Sequence, residues 1–181
     1  MIMTIEKKMT ILSDGCQLEG LWQPGTGSRG VVITHPHSLY GGTMHNPVVE
    51  MIQRAYRQNN FATLRFNFRG VGGSQGNFDN GLGEQDDVRA AISYVENMDV
   101  SAIDLAGYSF GADVSLATDH DRHRAWLAIA PPLQVVDPEI MTAPSDDRPK
   151  LLVIPEHDQF NPPERARATV AAWTNTSAVV I

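Results

Sequence analysis

The 181-residue sequence has one cysteine, no run of Lys or Arg, and no apolar stretch approaching the length of a membrane span. Each shortage excludes something. A lone cysteine cannot form an internal disulfide, which fits a reducing compartment. Cys16 follows the turn signal Asp14-Gly15 and begins an alternating apolar stretch, so it reads as a small strand residue rather than a reactive thiol. The formal charge is −7, with 14 Lys+Arg against 21 Asp+Glu, and no basic patch is there to neutralise a phosphate backbone. No nucleic-acid partner is expected. Residues 1–8 lack the continuous apolar core of a signal peptide, so the expectation is a soluble, cytoplasmic protein with no membrane partner. Repeats, low-complexity tracts and dividing linkers are absent too, and the length suits a single domain with a real core.

What is present is an alternation of strands and helices. Residues 5–12 and 17–22 flank Ser13-Asp14-Gly15 and predict an antiparallel hairpin. Val31-Val32-Ile33-Thr34, bounded by Gly30 and Pro36, predicts a buried strand. Asn46 and Pro47 suit the N-cap and first position of a helix running to about Gln58, with Val48, Met51, Ile52 and Ala55 at helical spacing. Further strands are expected at 61–66, 102–106, 126–130, 151–154 and 178–181. Helices are expected around Val88, Ala91, Ile92 and Val95, over 110–117, and from Pro162-Pro163 to about Trp173. Such an order implies parallel βαβ units, hence a layered α/β domain with a mostly parallel sheet. The least structured stretch, 136–150, is too short for a separate cap domain.

Three loops carry chemistry. Gly107-Tyr108-Ser109-Phe110-Gly111 is a weak Gly-x-Ser-x-Gly signal alone, but an apolar strand precedes it and small, helix-compatible residues follow. That strand-turn-helix context would project the Ser109 hydroxyl above the sheet's carboxyl edge as a nucleophile. His35-Pro36-His37-Ser38 follows an earlier strand, where an oxyanion hole would lie. Such a hole needs two N–H donors; Phe110 suits one, and His37 the other, since Pro36 has no N–H. His35, Ser38 and Tyr40 belong to the same loop. Reading His35 and His37 as metal ligands lacks any further His/Asp/Glu cluster, so neither metal nor cofactor is expected. Glu156-His157-Asp158 follows the strand at 151–154, and Asp158 is the better-placed acid to orient a catalytic histidine. Gly70-Val71-Gly72-Gly73-Ser74-Gln75-Gly76 is not a dinucleotide fingerprint, because Gln75 replaces the third glycine and no helix start follows. It reads as a surface loop that Arg69 braces through bonds to backbone carbonyls.

These segments, with Arg65-Phe66-Asn67-Phe68-Arg69-Gly70 and Gly83-Glu84, resemble the small lidless bacterial α/β-hydrolases grouped with dienelactone-hydrolase-like and serine-esterase-like proteins. The resemblance spans nearly the whole chain in order. It implies a three-layer α/β-hydrolase fold without a cap domain and with an N-terminal antiparallel hairpin. It also implies Ser109 as nucleophile, Asp158 as acid, and the backbone of His37 and Phe110 as oxyanion hole. The family's catalytic histidine follows the last strand and precedes a final helix. Here the last strand candidate reaches Ile181, so that histidine and helix are expected from a segment outside this sequence, with His35, His37, His45, His120, His123 and His157 the alternative sources of a base, none at the family's usual position.

Two functions from different classes follow. The first is a serine hydrolase acting on a small acyl substrate, an ester or thioester. The second is a catalytically impaired hydrolase fold that binds a ligand or partner, with a homo-oligomer among the states an uncovered apolar face would favour.

Overall fold

A computed structural model describes residues 5–181. β1 (Lys7–Ser13) and β2 (Cys16–Gln23) form the hairpin, in register from Lys7 opposite Trp22 to Ser13 opposite Cys16. There follow β3 (Arg29–Thr34), α1 (Pro47–Gln58), β4 (Ala62–Phe66), α2 (Leu82–Glu96), β5 (Ala102–Tyr108) and α3 (Phe110–Ala117). β6 (His123–Ile129), β7 (Lys150–Ile154), α4 (Pro163–Val170) and β8 (Thr176–Val180) complete the order. The strands make one sheet, β1-β2-β4-β3-β5-β6-β7-β8. β2 meets β4 antiparallel, and every pairing from β4 to β8 is parallel. Between β6 and β7 the chain makes only short 3-10 turns, so no cap is inserted there.

The central strands are buried on both faces, which is why they read as unbroken apolar runs. The larger core packs Leu64, Phe66, Leu105 and Leu152 of the sheet against Val88 and Ile92 of α2, Val114 of α3 and Val170 of α4. On the opposite face α1 sits alone, with Val49 and Ile52 over Val31, Ile33 and Ala106.

Asn46 caps α1 as its sequence implies, its Oδ1 accepting from Val48 N at 2.9 Å, with Pro47 in the first turn. The buried stripe is nevertheless Val49 and Ile52, with Tyr56 packed beside them, and Met51 is 63% exposed. Periodicity alone fits either of two stripes rotated by one residue. The floor of Val31, Ile33 and Ala106 selects the one that is used. Of the expected positions Ile52 is buried and Val48 packs beside it, while Ala55 lines a groove of about 510 Å³ beside β6–β8 together with Leu127 and Leu151. α4 ends at Val170 instead of Trp173, because Trp173 N turns back to Val170 O and Thr174 N bonds to Pro144 O.

The loop at 67–76 differs from expectation in its brace. Among the described residues Arg69 binds no backbone carbonyl; its guanidinium donates to the Asp87 carboxylate on α2, at 2.8 Å through Nη2. The Arg69 N–H meets the same carboxylate at 2.9 Å.

Candidate active site

Parallel strands end on a common edge, so the loops after β3, β5 and β7 gather there. Strand order reverses between β3 and β5, the position where an open α/β sheet leaves a crevice. Ser109 stands at that crevice, one residue past β5.

Its backbone lies at φ 54°, ψ −124°, a region that costs a non-glycine residue about 1–3 kcal/mol. The surroundings fix it there. Ser109 N donates to Ile129 O at 2.9 Å, and Ser109 O accepts from Ala112 N at 2.9 Å and Asp113 N at 3.3 Å. The side chain makes no capping bond to α3. Gly111 lets the β3 loop lie directly on the first turn of α3, since a Cβ there would stand 2.5 Å from His35 O.

His35 is fully buried, with its ring 4.7 Å from that of Phe68. Nε2 accepts from Phe68 N at 3.0 Å, so the proton must sit on Nδ1, which donates to Pro36 O at 2.6 Å. Burial pushes the imidazole down to about 4, only partly offset by the Pro36 bond. This ring is committed to holding two loops together and is not free to shuttle a proton. Since the folded value lies below the ordinary 6.5, the unfolded chain takes up the proton first as pH falls. His35 therefore supports the fold above about 6.5 and loses that contribution as pH drops towards 4. His35→Gln is expected to flatten the fall in urea midpoint between pH 6.5 and 4 relative to wild type. Parallel curves would remove His35 as a source of acid sensitivity.

His37 N-caps the short turn Ser38–Tyr40, its Nδ1 accepting from Leu39 N at 3.3 Å. Its ring stacks 4.8 Å from Phe110 and 4.9 Å from Phe78, and partial burial lowers its pKa. Tyr40 is 86% exposed, with its ring 4.8 Å from that of His37. Ser38 Oγ is buried without a partner among the described residues. The N–H groups of His37 and Phe110 likewise meet no acceptor among the described residues.

After β7, Asp158 Oδ1 accepts from Phe160 N at 2.8 Å and Asn161 N at 3.0 Å. Asp158 and Ser109 line one cavity of about 310 Å³, walled also by Tyr108, Ala130, Pro132 and His157. Glu156 is exposed, and its N–H bonds to Ile181 O at 2.7 Å, which places the carboxyl end of β8 beside the acid loop.

Of the six histidines, His157 alone lines this cavity, and it is exposed. His120 and His123 lie at the amino end of β6, the opposite edge, where Arg148 Nη1 approaches His123 Nδ1 at 3.2 Å. His45 is exposed ahead of α1. Sequence reasoning overlooked Asp113, Asn161 and Phe160, and named Tyr108 only as part of the elbow. The Asn161-Pro162-Pro163 run was the available signal for the second of these. Asp113, a charge among small apolar helix residues, was the signal for the first.

Solved structures share this fold. An α/β serine hydrolase homologue from Coxiella burnetii matches with a TM-score of 0.85 and 34% identity, over 99% of this chain and 89% of that one. A lidless α/β serine hydrolase from Xanthomonas campestris matches with a TM-score of 0.87 and 31% identity, over 98% and 84%. An uncharacterized protein of Rickettsia prowazekii is 37% identical over 126 residues, 66% of this chain and 53% of that protein. The chain thus spans about half the length of that curated relative. No protein-family model matches the chain. At these identities and coverages, and with this strand order, the chain belongs to the α/β serine hydrolase family.

Proposed function

We propose that this chain carries the nucleophile, acid and oxyanion-binding parts of a lidless, dienelactone-hydrolase-like serine hydrolase for small carboxylic esters or thioesters, and that residues 5–181 by themselves are catalytically impaired. The observation that carries this reading is the placement of Ser109. Its strained backbone aims into a cavity shared with Asp158, while no described histidine both faces Ser109 and is oriented by Asp158. Attack by Ser109 Oγ on an acyl carbon would put negative charge on the carbonyl oxygen, where the unpaired N–H groups of His37 and Phe110 would receive it. The hydroxyl proton needs a base, and a serine without one is a poor nucleophile at neutral pH. The open cavity, with no cap over it, suits a small acyl group.

The second reading is a binding role for the impaired fold. It is favoured by the same missing base and by the apolar groove beside β6–β8. Imidazole separates the two. With a fluorophosphonate probe, slow labelling is expected at Ser109, lost in Ser109→Ala and accelerated at least about tenfold by added imidazole standing in for the base. If neither labelling nor p-nitrophenyl acetate turnover depends on Ser109, with imidazole or without, the acyl-transfer reading fails and the binding role stands.

A further inference from the structure

Four residues after Ser109, the Asp113 side chain is fully buried in the first turn of α3 and bonds to no other side chain. Its carboxylate instead collects successive backbone donors from the loop after β6. Oδ1 accepts from Leu133 N at 2.9 Å, and Oδ2 from Gln134 N at 3.2 Å and Val135 N at 3.1 Å. That loop needs such an anchor, because Ala130 and Leu133 are both held at positive φ, 46° and 55°.

The anchored segment is the wall of the Ser109 cavity, through Ala130 and Pro132. Its other end is tied to the acid loop. Asn161, also buried, donates from Nδ2 to Pro131 O at 2.9 Å, and its backbone N–H donates to Asp158 Oδ1 at 3.0 Å. A continuous set of bonds therefore runs from Ser109 O to Asp113, across residues 131–135, through Asn161, to Asp158.

We propose that Asp113 is a positioning residue, whose ionised carboxylate clamps residues 131–135 to the nucleophile helix and thereby, through Asn161, sets the place of Asp158 relative to Ser109. The inference rests on the proposed roles of Ser109 and Asp158 but concerns a residue that touches neither substrate nor the reacting atoms. A neutral amide or a protonated carboxyl at this position offers fewer acceptor sites than the carboxylate. At least one of the backbone donors then loses its partner in a buried setting.

The clamp is sensitive to pH on the same geometry. Burial raises the Asp113 carboxyl to about 6, against the opposing pull of the backbone N–H groups. The elements packed against α3 carry Arg29 on β3, Asp104 on β5, His123 and Arg124 on β6, and Glu84, Asp86, Asp87, Arg89 and Glu96 on α2. Among the described residues none of them is bonded to Asp113, whose partners are backbone N–H groups. As pH falls through about 6 the carboxylate is neutralised, and the 131–135 segment loosens.

Amide hydrogen exchange and NMR on the whole chain test this without requiring any catalysis. In Asp113→Asn, exchange at Leu133, Gln134 and Val135 is expected to rise at least tenfold. A rise of several-fold should follow at Phe160 and Asn161, while the amides of Leu105 and Ala106 in β5 keep their protection. In wild type, the amide shifts of residues 133–135 and of Phe160 and Asn161 should titrate together with a midpoint near 6. That measurement decides the matter even if the variant does not fold. Unchanged exchange at 160–161 alongside a loosened 133–135 would make Asp113 a local brace and overturn the proposal. So would shifts at 133–135 that titrate while those of Phe160 and Asn161 stay flat. Failure of the fluorophosphonate to label Ser109 would overturn the hydrolase reading and leave these amide measurements as they stand.

Discussion

Gly107→Ala is expected to destabilise the fold by about 3 kcal/mol or more and to reduce Ser109 labelling at least about tenfold. Gly107 is the penultimate residue of β5, opposite Thr34 of β3 and Ala128 of β6. A Cβ built on it would stand 2.6 Å from both the N and Cα of Ala112 and 2.6 Å from Gly111 O. Every one of those atoms belongs to the backbone of the helix that follows the serine. No side chain can rotate away, so relief requires the first turn of α3 to lift from β5. The two backbone bonds that hold Ser109 O, from Ala112 N and Asp113 N, come from that same turn. Moving it would release Ser109 from φ 54° and displace Phe110, the first residue of α3. Gly15→Ala is the matching control. Gly15 has φ +78° with nothing within 4 Å of a built Cβ, so that variant should show only the cost of a left-handed alanine, about 1 kcal/mol, and full labelling. Equal urea midpoints for Gly107→Ala and wild type would mean that α3 does not sit this close to the strand.

Much of this arrangement is legible locally. The Asn46-Pro47 cap, the βα alternation and the strand-serine-helix junction each depend on residues within a few positions of one another, so pattern and propensity suffice. Contacts set by tertiary packing were not legible. The rotation of α1 depends on Val31, Ile33 and Ala106, which lie on two other strands. The clamp by Asp113 depends on a loop some twenty residues away, whose left-handed turns fall on Ala130 and Leu133, residues that do not advertise positive φ. The Arg69 brace was misassigned for a related reason. A loop beside an arginine suggests carbonyl acceptors, whereas the true partner sits on α2. One clue was present: Glu84 and Asp87 fall on the same helical face as Val88, Ala91 and Val95, and a carboxylate on an apolar stripe needs a donor.

That buried carboxylate supports the second large effect. Asp87→Ala is expected to cost about 3–5 kcal/mol, read as a lowered urea midpoint with little change in slope. Asp87 is fully buried, and it accepts from Ser13 Oγ at 2.7 Å as well as from the Arg69 side chain and backbone. It thus joins the end of β1, the loop after β4 and α2 at a single point. Truncation removes all of these bonds and leaves the Arg69 guanidinium, whose side chain is only 11% exposed, without its counter-charge. The ion pair itself need not be a net gain over apolar packing, because both charges were taken out of water to form it. The double variant Arg69→Met, Asp87→Ala distinguishes these terms. It removes the stranded cation and should recover stability over Asp87→Ala alone, giving a coupling well beyond the small departures from additivity seen at independent sites. The effect should also reach the candidate site. Phe68 N, one residue before Arg69, holds His35 Nε2, and Phe78 stacks on His37. Loosening of residues 67–78 should therefore slow Ser109 labelling even under conditions where Asp87→Ala remains folded. A destabilisation below about 1 kcal/mol, typical of an exposed pair, would show that water reaches the pair and that this loop is anchored elsewhere.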